Sequence, residues 1–259
     1  RIVMKLVTLV GVKTIKLVEE LGKVGLFIGA FFKQLIKYPL YFKLTMRQAE
    51  LLGVNSLPIV LLTSFFTGAV LALQTYHGFG NKDLADASLG SVVALSMLRE
   101  LGPVLASLMV SGRVGAAIAA ELGTMKVSEQ IDAMVTLATN PIKYLVVPRV
   151  LACCIMVPVL VIIADVTGIF GGYIVATNML DINAYSYMQN SFSNVQFSDV
   201  FLGLVKALVF GFIIGIMGCY HGMKTESGAE GVGKATTTAV VYGSVLILIA
   251  DYFVTAIMF

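Results

Sequence analysis

Five stretches of this chain, at about 55–76, 91–120, 144–176, 200–220 and 237–259, are apolar over the length an α-helix needs to cross a bilayer, roughly 20 residues. Hydrocarbon offers no water to backbone amides, so a crossing segment of this kind must satisfy them internally as a helix. The overall make-up agrees. Of the residues, 58% are hydrophobic and 13% charged, and the mean hydropathy is +0.91, whereas soluble domains run at roughly half apolar and a quarter charged. The expected fold class is an all-α integral membrane protein. Its 259 residues leave no length for a separate soluble catalytic domain, so one domain is expected over 1–259: an interfacial region at 1–50 and a five-helix bundle at 55–259.

Charge is distributed unevenly. Nine of the 18 Lys and Arg fall in the first 50 residues, which speaks to a membrane surface and not to nucleic acid. Lys5, Lys13, Lys16, Glu19, Glu20 and Lys23 share roughly 120° of arc at 100° per residue. An N-terminal amphipathic helix lying in the interface is expected, with a bend at Pro39 before Lys43 and Arg47. No short apolar core ends in a small-residue cleavage site, so a signal peptide is a poor reading. Lys126, Lys143, Arg149, Lys224 and Lys234 follow the second and fourth spans, while Lys82 with Asp83, Asp86, Asp181 and Asp199 follows the first and third. The positive-inside rule then puts the N-terminus in the cytoplasm and the C-terminus in the periplasm.

Small residues recur at helical spacing in three ladders: Gly115, Ala119 and Gly123; Gly168 and Gly172; and Gly211, Gly215, Gly218 and Gly222. Close packing within one bundle accounts for them, and a homodimer seam is the sharper alternative. Cys153, Cys154 and Cys219 sit in apolar surroundings without metal-ligand spacing and read as small packing residues.

Charges inside apolar spans are costly, and their presence marks a site by default. Arg99 and Glu100 stand about eight residues into the second span, roughly 12 Å below its outer end. Asp165 in the third span, Lys206 in the fourth and Asp251 in the fifth are expected at a similar depth. Two readings stand: mutual neutralisation that locks the bundle, and a polar patch that receives an amphipathic headgroup. Pro103 cannot donate to the carbonyl of Arg99, so with Gly102 beside it a kink is expected just after the charged pair. Arg113 and Glu121 lie nearer the other boundary and are expected to snorkel or pair across helices.

A second informative segment is too short to span. Ser128 is a plausible N-cap, Glu129 and Asp132 suit the positive helix end, and Asn140-Pro141 reads as a stop. Ile131, Met134, Val135 and Ala138 follow i, i+3, i+4, i+7 spacing on a helix of about 11 residues, whose apolar face must cover the membrane domain or a partner. The run Gly228 to Ala235 imitates a phosphate loop through Lys234. Ala235 replaces the required hydroxyl and no strand precedes it, so a flexible turn is the better reading. His77 and His221 are isolated, and neither a metal site nor a catalytic triad is expected.

The segments RELGPVLASLMVSGRVGAAIAAELGTMKVSEQIDA, NPIKYLVVPRVLA and GAEGVGKATTTAVV closely resemble the MlaE-type permease family, also called YrbE or, in plastids, TGD-type permeases. The layout matches over essentially the whole chain, and the dense motif covers the 54 residues from Arg99 to Ala152. The resemblance implies a non-enzymatic ABC transporter permease that moves phospholipids between inner and outer membranes. It implies a permease homodimer, a separate cytoplasmic ABC ATPase dimer, a ring of lipid-binding MCE-type protein and, in some systems, a STAS-domain protein. No cofactor is implied. Carried over residue by residue, Arg99 and Glu100 match the family's charged pair beside the lipid cavity, which makes Asp165, Lys206 and Asp251 their expected companions in lipid binding. Ser128, Glu129, Gln130, Ile131, Asp132, Met134 and Val135 fall in the expected ATPase-coupling helix. A bacterial inner membrane is the expected home. The competing class is an ion-coupled secondary transporter using Asp165 and Asp251.

Overall fold

The computed structural model describes the backbone at 2–38, 41–80, 82–226 and 228–258, and side chains over those ranges except at 2–10, 13, 16, 17 and 83. The side chains of Lys5, Lys13 and Lys16 and the bend expected at Pro39 lie outside the described residues. Among those described there is no strand. Among the described residues five helices are long and apolar enough to cross a membrane.

Two helices precede the first span, α1 (Ile2–Leu35) and α2 (Phe42–Val54). The first span is α3 (Leu57–Phe79). The second is one rod made of α4 (Lys82–Ser96), α5 (Gly102–Val110) and α6 (Ala116–Val127), joined by π turns at Met97–Leu101 and Ser111–Gly115. Short α7 (Gln130–Thr136) follows, and a third π turn at Ile142–Val146 opens α8 (Val147–Met179). The chain then forms α9 (Ala184–Ser193), α10 (Phe197–Met223) and α11 (Ala229–Met258).

The second span is longer than its hydropathy suggests. Leu84–Val127 is a continuous apolar helix of 44 residues, about 66 Å at 1.5 Å per residue. Its extra turns carry Asp86 and Ser88, which read as loop, and they are helical because α9 covers them. Asn190 Nδ2 donates to the Asp86 carbonyl at 2.9 Å, Asn183 Oδ1 caps α9 by accepting from the Tyr185 N–H at 2.9 Å, and buried Tyr187 donates to the Ile169 carbonyl at 3.2 Å. The start of the second span therefore belongs to the fold's interior and not to a connecting loop.

The small-residue ladders serve packing within the chain. A Cβ at Gly68 would fall 1.8 Å from the Gly168 carbonyl oxygen, one at Gly211 2.6 Å from that of Cys153, and one at Gly222 2.8 Å from Leu122 Cβ. These contacts bring α3 and α10 against α8, and α10 against α6, closer than any side chain allows. The main apolar core lies among α5, α6, α8 and α10, around Val110, Ile118, Val150, Leu160, Phe210 and Ile214. A smaller core at the α9 end joins Ala72, Leu89, Val93, Met97, Ala176 and Tyr187. Cys153 and Cys219 are buried, Cys154 is half-buried, and all three are free.

α1 leans on α10 through Phe27 against Tyr220 and Phe31 against Phe212, with ring centroids 5.5 and 5.8 Å apart. Glu20 fastens the contact: both its oxygens accept from Lys224 Nζ and Oε2 also accepts from Tyr220 Oη at 3.2 Å. The Lys224 hydrogen bond is the main cause holding the Glu20 carboxyl below its ordinary value of 4.5. Glu19 pairs with Lys23 one turn on, at 2.7 Å.

Candidate functional site

Lys206, on α10, is wholly buried, and its cation is met on three sides. Nζ lies 2.7 Å from Glu100 Oε2 and 2.9 Å from Asp251 Oδ1, and it donates to the Arg99 carbonyl at 3.0 Å. The last contact follows from sequence. Pro103 has no N–H to offer the Arg99 carbonyl, and the π turn at Met97–Leu101 carries the N–H of Gly102 to Met97 instead. The kink expected after the charged pair is thus a widened turn, and the acceptor it frees is taken by Lys206. Thr255 Oγ1 donates to Glu100 Oε1 at 3.3 Å, so α10, α11 and the second span are tied at one point.

Arg99 turns to a partner that sequence reasoning placed in a loop. Its Nε and Nη2 lie 2.8 and 2.7 Å from Asp199 Oδ1. Asp199 is buried, and its other oxygen accepts from the Gln196 N–H at 2.9 Å, closing a capping box at the start of α10. The Gln-x-x-Asp spacing ahead of an apolar run was the signal available for it. Two cations therefore face three carboxylates in this cluster. The Arg99 and Glu100 side chains remain 37% and 41% exposed, so the cluster is buried at Lys206 and open at its edge.

Asp165 does not join. Its Oδ1 is buried without a hydrogen-bond partner, against Gly102 on the other side of the second span. Of the five groups expected together, Arg99, Glu100, Lys206 and Asp251 converge, Asp199 completes them, and Asp165 stands one helix face away. The reason is phase: Lys206 and Asp251 come from α10 and α11, whereas Asp165 on α8 meets the rod at Gly102, a different face from that of Glu100.

Nearer the α7 end, Arg113 Nη1 donates to Ser56 Oγ at 2.9 Å, and Glu121 pairs with buried Arg149 at 2.7 Å. Both expected cross-helix pairings are present. Arg149 also donates to the Leu145 carbonyl at 2.9 Å.

The short helix departs from its expected form. Ser128 donates back to the Thr124 carbonyl at 2.8 Å and so ends α6 instead of capping α7. The turn falls on Glu129, with φ of 59°, and α7 has 7 residues in place of about 11. It stops early because Ala138 takes φ of 57° and Thr139 N–H reaches the Met134 carbonyl at 2.9 Å while Ala138 N–H reaches Val135. This is the paired bonding of a Schellman end, built on alanine where glycine is usual. Asn140 caps the next segment, accepting from the Ile142 N–H at 3.0 Å. Lys126 holds α7 through Asp132 at 2.8 Å.

α7 turns Ile131 inward and half-buries Met134 against the core. Val135 and Leu137 stand 56% and 79% exposed, and Val135 borders an open groove with Pro141, Ile142 and Met223. Gln130 and Asp132 are exposed beside it. The end of the bundle therefore presents an apolar surface fixed by an ion pair, the form a docking helix takes. Among the described residues no group of three or more His, Cys, Asp or Glu is placed to hold a metal ion.

Comparison with known proteins gives this architecture a family. The profile described as "Permease MlaE" matches residues 45–257. A protein of Rickettsia typhi named "probable ABC transporter permease protein" is 52% identical over 256 residues, covering 99% of this chain and 98% of that one. The chloroplastic protein trigalactosyldiacylglycerol 1 of Arabidopsis thaliana is 37% identical, over 91% of this chain and 67% of its own. The intermembrane phospholipid transport system permease protein MlaE of Haemophilus influenzae is 36% identical over 263 residues, covering 99% and 98%. Five membrane-length helices, a charged cluster among three of them, and a match that runs from α2 to the end of α11 lead to one assignment: this chain belongs to the MlaE family of ABC transporter permeases.

Proposed function

We propose that this permease moves phospholipids between membranes, powered by a separate ATPase dimer that docks on α7. The observation that carries the reading is the half-open cluster of Arg99, Glu100, Asp199, Lys206 and Asp251, a polar edge on a bundle whose neighbouring α11 is exposed along Val241, Val245, Leu248 and Ile249. An amphipathic molecule needs both surfaces: charge for its headgroup and apolar wall for its chains. The name of the Haemophilus relative supports phospholipid as the cargo.

In this reading two copies of the chain form the transport unit in a bacterial inner membrane, with the N-terminus cytoplasmic and the C-terminus periplasmic. α1 lies in the interface. An MCE-type lipid-binding ring sits over the α9 end, and a STAS-domain protein joins the ATPase in some assemblies. Nucleotide-driven closure reaches the cluster along the second span, which runs from the Arg99 turn through α5 and α6 to the start of α7.

Reconstitution with the ATPase tests it. Fluorescent phospholipid should pass from proteoliposomes to an acceptor only with ATP; transfer that follows an imposed proton or sodium gradient without ATP would sink it. The ion-coupled alternative asks Asp165 and Asp251 to act together, yet Asp251 is held by Lys206 and Asp165 packs on Gly102.

A further inference from the structure

Between α2 and the start of α8 lies an open groove of about 1050 Å³, mostly apolar, whose lining includes Tyr41, Lys43, Arg47, Glu50, Tyr144 and Met156. Two of the lining rings, Tyr41 and Tyr144, meet edge to face with centroids 5.3 Å apart. Lys143, next to Tyr144, donates to the Tyr38 carbonyl at 3.1 Å and so joins the segments that carry the two rings. Lys43 and Arg47 are one turn apart on α2 and exposed, and among the described residues neither has an ion pair or hydrogen bond through its side chain. Arg99, Lys126, Arg149, Lys206 and Lys224 have carboxylate partners, whereas Arg113 and Lys143 donate to Ser56 Oγ and the Tyr38 carbonyl.

We infer that this groove binds an anionic phospholipid, its phosphate held by Lys43 and Arg47 between the two tyrosines and an acyl chain laid against Met156. Charge complementarity selects the occupant: two unpaired cations against the single acid Glu50, at the tyrosine-lined edge of an apolar surface, match an anionic headgroup at the membrane boundary. Beyond the groove, α2 and α3 expose Leu51, Val54 and Ile59, which a bilayer would cover. The site is at the α7 end, apart from the Arg99–Lys206 cluster, so the lipid held there is a resident companion and not the cargo. The inference rests on the membrane reading but not on phospholipid being transported.

The chain contains no tryptophan, so Tyr144→Trp places a single fluorescent reporter at the groove. The Tyr144→Trp chain in phosphatidylcholine nanodiscs is titrated with brominated phosphatidylglycerol and, separately, with brominated phosphatidylcholine. The anionic lipid should quench at about five- to tenfold lower mole fraction, since each basic residue near a headgroup contributes about fivefold and Glu50 opposes. Adding Lys43→Gln with Arg47→Gln should bring the two lipids level, with unchanged thermal unfolding, while Lys234→Gln on α11 should leave the preference intact. Equal quenching by both lipids in the parent overturns the proposal, and so does a preference that survives the double substitution. ATP-driven lipid transfer on the same preparation reads the transport proposal independently, so its absence would count against that reading alone.

Discussion

The carboxylate of Asp165 occupies the space that a side chain at residue 102 would fill: a Cβ on Gly102 would fall 1.7 Å from Asp165 Oδ1. The third span therefore seats a buried acid directly on the backbone of the second, one turn from the charged pair. Gly102→Ala should lower stability by about 1–3 kcal/mol through overpacking. Asp165→Ala in the same chain should recover part of it, the rest being held by the Met97 carbonyl 2.8 Å away. Thermal unfolding of the two single variants and the double variant checks this; no recovery would place the strain elsewhere.

Lys206→Met should be far more damaging, about 3–5 kcal/mol, because it strands the carboxylates of Glu100 and Asp251. Converting those partners to Gln and Asn alongside it should restore most of the loss. Glu100→Gln alone leaves Lys206 with Asp251 and should cost little, so lipid transfer by that variant isolates function from folding. Transfer at the wild-type rate would mean that the cluster holds the bundle and nothing more.

Val135→Asp and Leu137→Asp alter exposed positions and should leave unfolding within about 0.5 kcal/mol of the parent. ATPase stimulation in the reconstituted complex should fall at least tenfold if α7 is the docking helix. Ile131→Asp, at a buried position, is the contrast: it should unfold the α7 end as well.

Ala138 holds a left-handed conformation that costs an L-residue about 1–2 kcal/mol. Ala138→Gly should stabilise the α7 end by about 1 kcal/mol and slow amide exchange at Thr139. Faster exchange there would contradict the Schellman geometry.

The α1 attachment should depend on pH with a definite sign. Glu20 is held below 4.5 by Lys224 and Tyr220, so its contribution is complete above pH 4.5 and is lost as pH falls through the lower bound-state value. Proteolysis within α1 should accelerate in acid. Glu20→Gln should show that acceleration already at neutral pH and remove the pH dependence.

What could be read from sequence follows from cost. A 20-residue apolar run has one outcome in a bilayer, which is why all five spans were legible. Lys206, Glu100 and Asp251 were legible as companions because an isolated charge in such a run is too costly to leave unpaired. Asp199 was missed because an acid at a span's start is ordinary; only its capping spacing to Gln196 distinguishes it. Asp165 looks like Asp251 in sequence, and what separates them is the facing of α8 against the rod, which depends on Gly102 leaving room for Asp165 and Gly168 leaving room for Met97. Polar α9 and the first turns of α4 shelter each other, a long-range pairing that local hydropathy cannot carry. The short form of α7 depends on Glu129 and Ala138 adopting a conformation usually given to glycine.

The π turns at Met97–Leu101 and Ser111–Gly115 give the second span a tolerance for single deletions that a plain helix lacks. Each is one residue too many wound into a turn, while every residue added to or removed from an ordinary α-helix rotates all that follows by about 100°. A chain shortened by one residue inside either turn can relax to α-helix with both ends still facing their neighbours. The same deletion in α5 would swing Arg99 away from α10 or Lys126 away from α7. Single deletions in this rod should therefore survive only at its two widened turns.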